Sequence, residues 1–242
     1  MSYLTPHRQR SIKLISFDLD DTLWAVGPVI VQANLCLYRW LQQHAPRFTD
    51  RYTLDDFGSL RRIVIANQPV IEHSVTAVRL AVLHYGINQS GYGSKESETL
   101  AAAAFEVFLL ARNRVELFAH ASQMLTDLSA HYRIVALSNG NADVGLVGIG
   151  QFFEFSLNAD QVGRAKPDPL MFEQMLERAK IDADQVVHIG DHPEHDIAGA
   201  QRCGLRTLWV NFADAPWPGT TPPDLQARCL SEVVGLIDSL AS

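Results

Sequence analysis

The spacing of apolar residues divides the chain into three parts. Residues 11 to 21 carry apolar side chains at strand spacing, and residues from about 28 to 112 carry them at helical spacing. After about residue 113, strand and helix patterns alternate, which predicts a doubly wound parallel sheet. The first strand then belongs to a sheet that the chain completes only after the helical part. The predicted fold is an α/β, Rossmann-like core with an inserted helical cap.

The inserted part is predicted to hold four helices, or nearly so. Its breaks fall at Pro46, at Pro69 and in a loop from Gly86 to Gly93. The apolar positions at helical spacing are Ile30, Ala33, Leu37, Trp40 and Leu41, then Leu54, Phe57, Leu60 and Val64, then Ile71, Val75, Val78 and Val82, and finally Leu100, Ala103, Val107 and Leu110.

These patterns set the predicted domains. Residues 1–25 and 113–242 are assigned to the catalytic α/β core, and residues 26–112 to the helical cap. Four prolines predict a loop over residues 214–224, and the apolar residues from Leu225 to Leu240 predict a closing helix.

Two carboxylates follow the first predicted strand. The strand runs from Ile12 to Phe17, and Asp18 and Asp20 come next, two residues apart. Because strand side chains alternate between faces, both carboxylates are expected on one face at the strand tip. One carboxylate can then attack while the other moves a proton, and the pair attracts a hard cation such as Mg²⁺. The alternative is an acidic turn that caps a strand.

Three later segments carry further polar groups at the ends of apolar β-type runs. They contain Ser138 with Asn139, Lys166, and Asp191 with Asp196. Since active sites of parallel sheets form at the carboxyl ends of strands, these groups are expected to converge on the two aspartates. Taken singly, the serine is also compatible with ordinary turn chemistry, and the lysine with a solvated loop.

Charge and composition exclude several classes of function. The net charge of −7, without a basic stripe, disfavours a nucleic-acid partner. The longest apolar tract, from Leu100 to Ala111, is interrupted by Glu106 and is too short to cross a bilayer. Residues 1 to 11 are polar, so no signal peptide is predicted. Three widely spaced cysteines suggest a reducing cytoplasm. The oligomeric state is left open.

The polar segments together resemble a known family. The elements Asp-x-Asp-x-Thr at 18–22, Ser138, Lys166 and Gly-Asp-x-x-x-x-Asp at 190–196 occur in the order found in phosphatases of the haloacid dehalogenase superfamily. The chain resembles those members that carry a helical cap after the first motif. Four elements in order are far more specific than any one of them.

The resemblance implies a Mg²⁺-dependent hydrolysis of a small-molecule phosphate ester. Asp18 would be the nucleophile and form an aspartyl phosphate, and Asp20 would be the general acid and base. The substrate phosphate would be bound by Thr22, Ser138, Asn139 and Lys166. Mg²⁺ would be held by Asp18, by the backbone carbonyl of Asp20 and by Asp191, while Asp196 would orient Lys166 or a metal-bound water.

Other functions use similar residues. A haloacid dehalogenase also has an aspartate nucleophile, but halide leaves without a proton, so Asp20 would have no acid role there. A sugar phosphomutase and a catalytically idle binding module of the same fold stay open. A zinc site at His192 and His195 is disfavoured, because a helix that begins at Pro193 would turn His195 away from Asp191.

Finer cues concern the substrate. Within the family, the chain resembles bacterial phosphatases of riboflavin biosynthesis, which act on 5-amino-6-(5-phosphoribitylamino)uracil and also accept flavin mononucleotide. Arg79 is one of few cations in the predicted cap that could meet the polar end of such a substrate; the alternative is a solvated face charge. The cues are Pro28 to Ile30, His73 to Thr76, Ser138 to Ala142, Phe153 to Phe155 and Asp196 to Ala200.

Overall fold

A six-stranded parallel sheet forms the frame of the core. The computed structural model describes residues 11–241. The strands lie in the order β3-β2-β1-β4-β5-β6, and all pairs are parallel, so the predicted doubly wound α/β fold is confirmed. The strands are β1 Leu14–Phe17, β2 Arg133–Ser138, β3 Phe155–Asn158, β4 Val186–Gly190, β5 Arg206–Val210 and β6 Leu225–Ala227.

Helices cover the sheet and form the insert. Between β1 and β2 the chain forms α1 Val26–His44, α2 Pro46–Arg51, α3 Phe57–Asn67, α4 Val75–Gln89 and α5 Ser94–Arg112. The later helices are α6 Ala121–Ser129, α7 Val144–Val147, α8 Ala159–Val162, α9 Leu170–Ala179, α10 Gly199–Arg202 and α11 Val233–Ala241. A π-type turn, Pro193–Ala198, leads into α10. No helix within residues 11–241 is long and apolar enough to cross a membrane.

The insert has its own apolar core, in which α5 packs against both α1 and α4. This core is separate from the two apolar clusters that flank the sheet. The four long predicted helices are present, with the short α2 in addition. α1 begins at Val26 and α5 ends at Arg112, in agreement with the predicted limits of the insert. The division into two domains stays a prediction. The fully buried members of the cap core include Leu37, Leu41, Phe48, Leu83 and Ile87.

The loop predicted from Gly86 is shorter than expected. α4 continues through Gly86 to Gln89, so the connection to α5 is limited to residues 90–93. Gly86 is a packing residue rather than a helix breaker: a Cβ atom there would lie 2.6 Å from Cε2 of the buried Phe48 ring. Its absent side chain makes room for that ring, a tertiary contact that the local sequence does not reveal.

The end of the chain also differs from the prediction. Residues 225–227 form β6 instead of the start of a helix, and the helix begins only at Val233. β6 pairs with β5, whose outer edge would otherwise expose unpaired backbone groups. Asp224 anchors the approach, since its Oδ2 accepts from the Thr207 N–H at 2.8 Å and from the Thr207 hydroxyl at 3.0 Å. Three residues are too few for a strand period to show.

Replacing Gly86 by alanine should destabilise the cap. Alanine favours a helix by about 1 kcal/mol, but overpacking against a buried ring costs about 1–3 kcal/mol. We expect Gly86→Ala to lower the free energy of unfolding by about 1 kcal/mol in urea titrations.

Gly58→Ala is the matched control, because Gly58 also lies in a cap helix and has nothing within 4 Å of its ideal Cβ. It should leave stability unchanged or raise it by about 0.5 kcal/mol. Equal stability of the two variants would contradict the packing role of Gly86.

Candidate active site

The predicted site residues meet at the carboxyl ends of β1, β2 and β4. All of them except Thr22 line one cavity of about 160 Å³. A larger cavity of about 720 Å³ lies between residues 192–202 and the loop 217–221, but none of the predicted site residues lines it. The smaller cavity is lined by Asp18, Asp20, Asp21, Ser138, Asn139, Gly140, Lys166, Asp191, His192, His195 and Asp196.

Lys166 connects the predicted nucleophile with two other parts of the core. Its side chain is 1% exposed. Its Nζ donates to Asp18 Oδ1 at 2.8 Å, to Asp196 Oδ1 at 2.7 Å and to the Leu137 carbonyl oxygen at 2.6 Å. The three ammonium hydrogens therefore each have an acceptor. Lys166 is not a solvated loop charge.

Burial and charge act against each other in this group. Burial opposes the charge of Lys166, but Asp18 and Asp196 outweigh it, so the pKa of Lys166 is raised. Burial also opposes the charge of Asp196, yet Lys166 and His188 together outweigh it and hold the pKa of Asp196 below its usual range. At Asp18 burial dominates: it raises the pKa well above the usual value, although Lys166 opposes the rise. A further cation beside Asp18 would favour its ionised, nucleophilic form.

Three carboxylates provide a place for such a cation. One oxygen from each of Asp18, Asp191 and Asp196 lies within 4.8 Å of the others, and this is the one such metal-ligand group found within residues 11–241. Burial, together with the charges of Asp196 and Asp21, raises the pKa of Asp191 to about 7. Carboxylate oxygens are the ligands that Mg²⁺ and similar hard cations prefer, so the residues fit the predicted metal.

Asp20 borders the same cavity and is tied on both oxygens. Trp24 Nε1 donates to Oδ1 at 2.8 Å, and Arg112 Nη2 donates to Oδ2 at 2.5 Å. The side chain of Asp20 is 20% exposed, which leaves it within reach of a bound substrate. Its carboxylate is not part of the three-carboxylate group. The predicted metal contact through its backbone carbonyl stays a prediction.

The predicted phosphate ligands occupy different places. Ser138 faces the cavity, and its Oγ accepts from Gly140 N at 3.0 Å. Asn139 also lines the cavity, but its amide is bonded to the Lys166 backbone: Nδ2 donates to the carbonyl at 2.8 Å, and Oδ1 accepts from the N–H at 2.7 Å. Asn139 thus fixes the lysine, and its phosphate contact stays a prediction.

Thr22 lies behind the carboxylates and does not line the cavity. Its hydroxyl is 3.2 Å from Asp18 Oδ2 and 3.3 Å from Asp191 Oδ1. One hydroxyl hydrogen can be donated to one of these oxygens at a time. The geometry favours orientation of the carboxylates over the predicted contact with phosphate.

The histidine pair differs from the prediction in orientation. His195 is not turned away: its ring stacks on His192 with centroids 3.8 Å apart, and both line the cavity with Asp191. His192 Nδ1 accepts from the N–H groups of residues 194 and 195 and so caps the following turn. Neither histidine belongs to a group of three metal ligands within the described part of the chain.

Three contributors were missed by the sequence reasoning. Trp24 and Arg112 reach Asp20, but neither residue is marked by a motif. His188 lies beneath Asp196, with Nε2 at 3.4 Å from Oδ1, and its Nδ1 is 2.8 Å from Ser16 Oγ. Burial lowers the pKa of His188, which keeps it neutral. Ser16 and His188 face each other in the register of β1 and β4. Each is a polar residue inside an apolar strand, and that signal is present in the sequence.

Comparison with known proteins places the chain among hydrolases. A family model described as haloacid dehalogenase-like hydrolase matches residues 12–204. The chain is 30% identical over 230 residues to the 5-amino-6-(5-phospho-D-ribitylamino)uracil phosphatase YigB of Escherichia coli, and the match covers 93% of this chain and 96% of that protein. It is 30% identical over 161 residues to a phosphoserine phosphatase of Thermus thermophilus, covering 64% and 63% of the two chains.

Solved structures agree on the fold. A protein of Pseudomonas syringae pv. Tomato DC3000, described as a 2-haloacid dehalogenase, superposes with a TM-score of 0.91 at 38% identity, over 95% of this chain and all of that one. The hydrolase YfnB of Bacillus subtilis, solved with magnesium bound, superposes with a TM-score of 0.65 at 19% identity, over 95% of this chain and all of that one. At this lower identity the likeness concerns the fold alone.

Mg²⁺ should bind more tightly as the pH rises towards 7. Asp191, with its pKa raised to about 7, must lose a proton before it can ligate a cation. For each unit by which the pH rises towards about 7, the apparent Kd for Mg²⁺ should therefore fall by up to about tenfold. In the metal-free protein the same raised pKa makes stability decline as the pH rises from about 4 to about 7, and bound Mg²⁺ should offset this decline.

Calorimetric titration at about pH 5.5 and about pH 7.5, with thermal unfolding at both, measures these effects. Asp191→Asn is the control: an amide carries no competing proton, so the variant should bind Mg²⁺ more weakly and show a smaller pH dependence, the remainder coming from Asp18, whose pKa is also raised. A Kd that is equal at the two pH values in the unmodified protein would contradict the role of Asp191.

Proposed function

Because the chain belongs to the haloacid dehalogenase-like hydrolases and is a phosphatase like its Escherichia coli and Thermus thermophilus relatives, we propose that it hydrolyses a small phosphorylated metabolite through an aspartyl phosphate on Asp18. The observation that carries the proposal is the contact of Asp18 with Lys166, in a cavity that also holds the second carboxylate Asp20. A nucleophile, a cation and a proton-transfer group are thereby within reach of one phosphoryl group.

Asp18 is the nucleophile of the proposed reaction. Its Oδ1 is held by Lys166, while Oδ2 faces the Thr22 hydroxyl. An anionic carboxylate and an anionic phosphoryl group repel each other, so attack requires cations beside both. Lys166 supplies one positive charge, and Ser138 supplies a hydroxyl donor at the end of the neighbouring parallel strand β2. Mg²⁺ would be held by Asp18 and Asp191 beside Asp196, which orients Lys166, and would supply the remaining charge neutralisation.

Asp20 moves the protons. When the bond between phosphorus and the leaving oxygen breaks, Asp20 gives its proton to that oxygen. In the second half of the reaction Asp20 takes a proton from a water molecule, whose oxygen bonds to phosphorus as the bond to Asp18 breaks. Free carboxylate is regenerated at Asp18, and phosphate is released. Both steps need Asp20 on the cavity wall, where it lies.

The second carboxylate, Asp20, favours hydrolysis of a phosphate ester over displacement of a halide. The Pseudomonas syringae protein is described as a 2-haloacid dehalogenase, so dehalogenation is the competing function. Departure of halide needs no proton, and a dehalogenase would have no use for Asp20 as an acid. Assay with a 2-haloacid tests this alternative directly. A phosphomutase would use the same residues, and transfer to a second sugar instead of water would identify it.

The substrate we propose is 5-amino-6-(5-phosphoribitylamino)uracil, with flavin mononucleotide as a second candidate. The Escherichia coli relative that spans almost the whole chain is named for the former. Both compounds join a primary phosphate ester to a flat ring with carbonyl oxygens. A cation placed in the cap, one helical turn or more from the site of attack, would suit such a ring.

Arg79 is placed in this way. It stacks on the Phe108 ring at 3.6 Å and donates to Asn34 Oδ1 at 2.8 Å. Phe108 lies one helical turn before Arg112, which contacts Asp20. A cavity of about 230 Å³ adjoins Arg79 and is also lined by Arg61, Glu72 and apolar side chains of α4. Burial, with the nearby charge of Arg112, lowers the pKa of Arg79 to about 10, and no carboxylate within residues 11–241 pairs with it. Arg79 is not a solvated face charge.

Asp18→Asn should abolish turnover and leave the fold intact. Because an amide is a far poorer nucleophile than a carboxylate, kcat should fall by at least about 10³-fold. The assay uses a panel with Mg²⁺ that contains the pyrimidine, flavin mononucleotide, phosphoserine, sugar phosphates and a 2-haloacid. We expect the pyrimidine to have the highest kcat/KM.

Mass spectrometry after acid quench should locate phosphate on Asp18 in the unmodified protein. Phosphate trapped on another residue, or near-normal turnover of Asp18→Asn, would contradict the mechanism. A higher kcat/KM for another ester in the panel would contradict the substrate while leaving the mechanism in place.

Arg79→Ala should raise KM for the ring-bearing substrate by about tenfold, the usual value of a charge-assisted hydrogen bond. It should change KM for p-nitrophenyl phosphate much less, because that ester offers Arg79 no partner. Arg61→Ala is the matched control, since Arg61 lines the same cavity but is exposed. Equal losses on both esters would contradict a contact between Arg79 and the leaving group.

A further inference from the structure

Asp20 is held by one donor from each of the two chain crossings between core and insert. Trp24, two residues before α1, donates through Nε1 to Oδ1 at 2.8 Å. Arg112, the last residue of α5, donates through Nη2 to Oδ2 at 2.5 Å. Both side chains are almost completely buried. The carboxylate is therefore fixed from the two sides at which the insert joins the core.

The two crossings are also joined to each other. Phe118 N donates to the Leu23 carbonyl oxygen at 2.8 Å, and Trp24 forms a bridge with Leu117. The segment after α5 thus runs beside the segment before α1. Displacement of either crossing would move a donor of Asp20.

Arg112 is an unusual residue for so deep a position. Its side chain is 1% exposed, and its Nη1 has no hydrogen-bond partner among the described residues. Its Nε is 3.4 Å from Asn141 Oδ1, and Asn141 in turn donates to the Thr76 hydroxyl in α4 at 3.1 Å. Buried ion pairs add little net stability, because desolvation offsets their attraction. Stability alone therefore gives a poor reason for this arginine.

The core loop leaves room for the pair. A Cβ atom on Gly140 would lie 2.4 Å from Asp20 Oδ2 and 3.1 Å from Arg112 Nη2. Any larger residue there would displace the contact. The close approach places the ion pair directly beside Ser138 and the cavity in which phosphate is proposed to react.

We propose that Arg112 is a positioning residue for proton transfer, which holds the Asp20 carboxylate at the leaving oxygen and then at the attacking water. The proposal rests on the proposed phosphatase mechanism. As the leaving oxygen takes the proton of Asp20, the carboxylate that forms faces the guanidinium, which keeps its own protons throughout. The same contact holds Asp20 in place while it takes a proton from water and the Asp18–phosphorus bond breaks.

The test measures Arg112→Met and Arg112→Lys, each with Asp20 intact and in an Asp20→Asn background. Substrates are p-nitrophenyl phosphate, whose leaving group needs little protonation, and the fastest alkyl ester of the substrate panel. With Asp20 intact, Arg112→Met should lower kcat for the alkyl ester by about 30-fold, within the range of general acid–base effects, with KM nearly unchanged. The loss with p-nitrophenyl phosphate should be several-fold smaller.

The Asp20→Asn background decides whether Arg112 acts through Asp20. There, Arg112→Met should cost less than about threefold more, since contacting residues are non-additive. Arg112→Lys, which keeps the charge, should recover at least about a tenth of the lost rate. The proposal would be overturned if the kcat losses of Arg112→Met and Asp20→Asn multiplied in the double variant. Equal losses on both esters, or an effect on KM alone, would also overturn it.

Controls separate the possible failures. Arg133→Met removes an exposed arginine that pairs with Glu154 far from the cavity, and it should leave kcat unchanged. If Arg112→Met does not fold, as shown by thermal unfolding, Arg112→Lys in the two backgrounds carries the same comparison. Normal turnover of Asp18→Asn would refute the phosphatase mechanism and with it the proposal. If Asp18→Asn is inactive but the losses from Arg112→Met and Asp20→Asn multiply, only the proposal is refuted.

Discussion

The ammonium group of Lys166 is the contact on which the geometry of the site depends. It lies where Asp18 at the end of β1, the Leu137 carbonyl in β2 and Asp196 after β4 approach each other, and it donates to all three. Desolvation of such a cation is costly unless every donor is satisfied. Once the strands are paired in register, Lys166 therefore has one low-energy position. The amide of Asn139 holds its backbone, so a loop residue acquires the precision of the sheet.

Charge pairing then explains where a metal ion belongs. Five carboxylates line the cavity: Asp18, Asp20, Asp21, Asp191 and Asp196. Lys166 pairs with the first and the last, and Arg112 with Asp20. Within residues 11–241 no cationic side chain pairs with Asp191, and burial together with the charges of Asp196 and Asp21 raises its pKa to about 7. A divalent cation placed against Asp18, Asp191 and Asp196 would complete the neutralisation that the side chains leave unfinished.

The parts that local sequence encodes were predictable, and those that depend on distant packing were not. Apolar runs ending in Asp18, Ser138 and Asp191 are strand ends by spacing alone, and parallel topology brings strand ends together. Gly86 was predicted to interrupt the helix because glycine is a poor helix former. Its role is to leave room for the Phe48 ring, and that contact is made by a residue distant in sequence. β6 was missed because its three residues obtain their conformation from the edge of β5. Arg112 gave no signal, since its partner lies 92 positions away.

Asp20 connects these observations to the place of the insert in the chain. The helices enter between β1 and β2, so both crossings must pass the end of β1, where the reacting carboxylates lie. Trp24 and Arg112 lie at these crossings and donate to the two oxygens of Asp20, the proposed general acid. Asp18, the proposed nucleophile, is held within the core, by Lys166 from a loop that Asn139 fixes. Asp20 is instead held by donors at both ends of the insert, so on the proposed mechanism a movement of the insert would also move the group that transfers the proton.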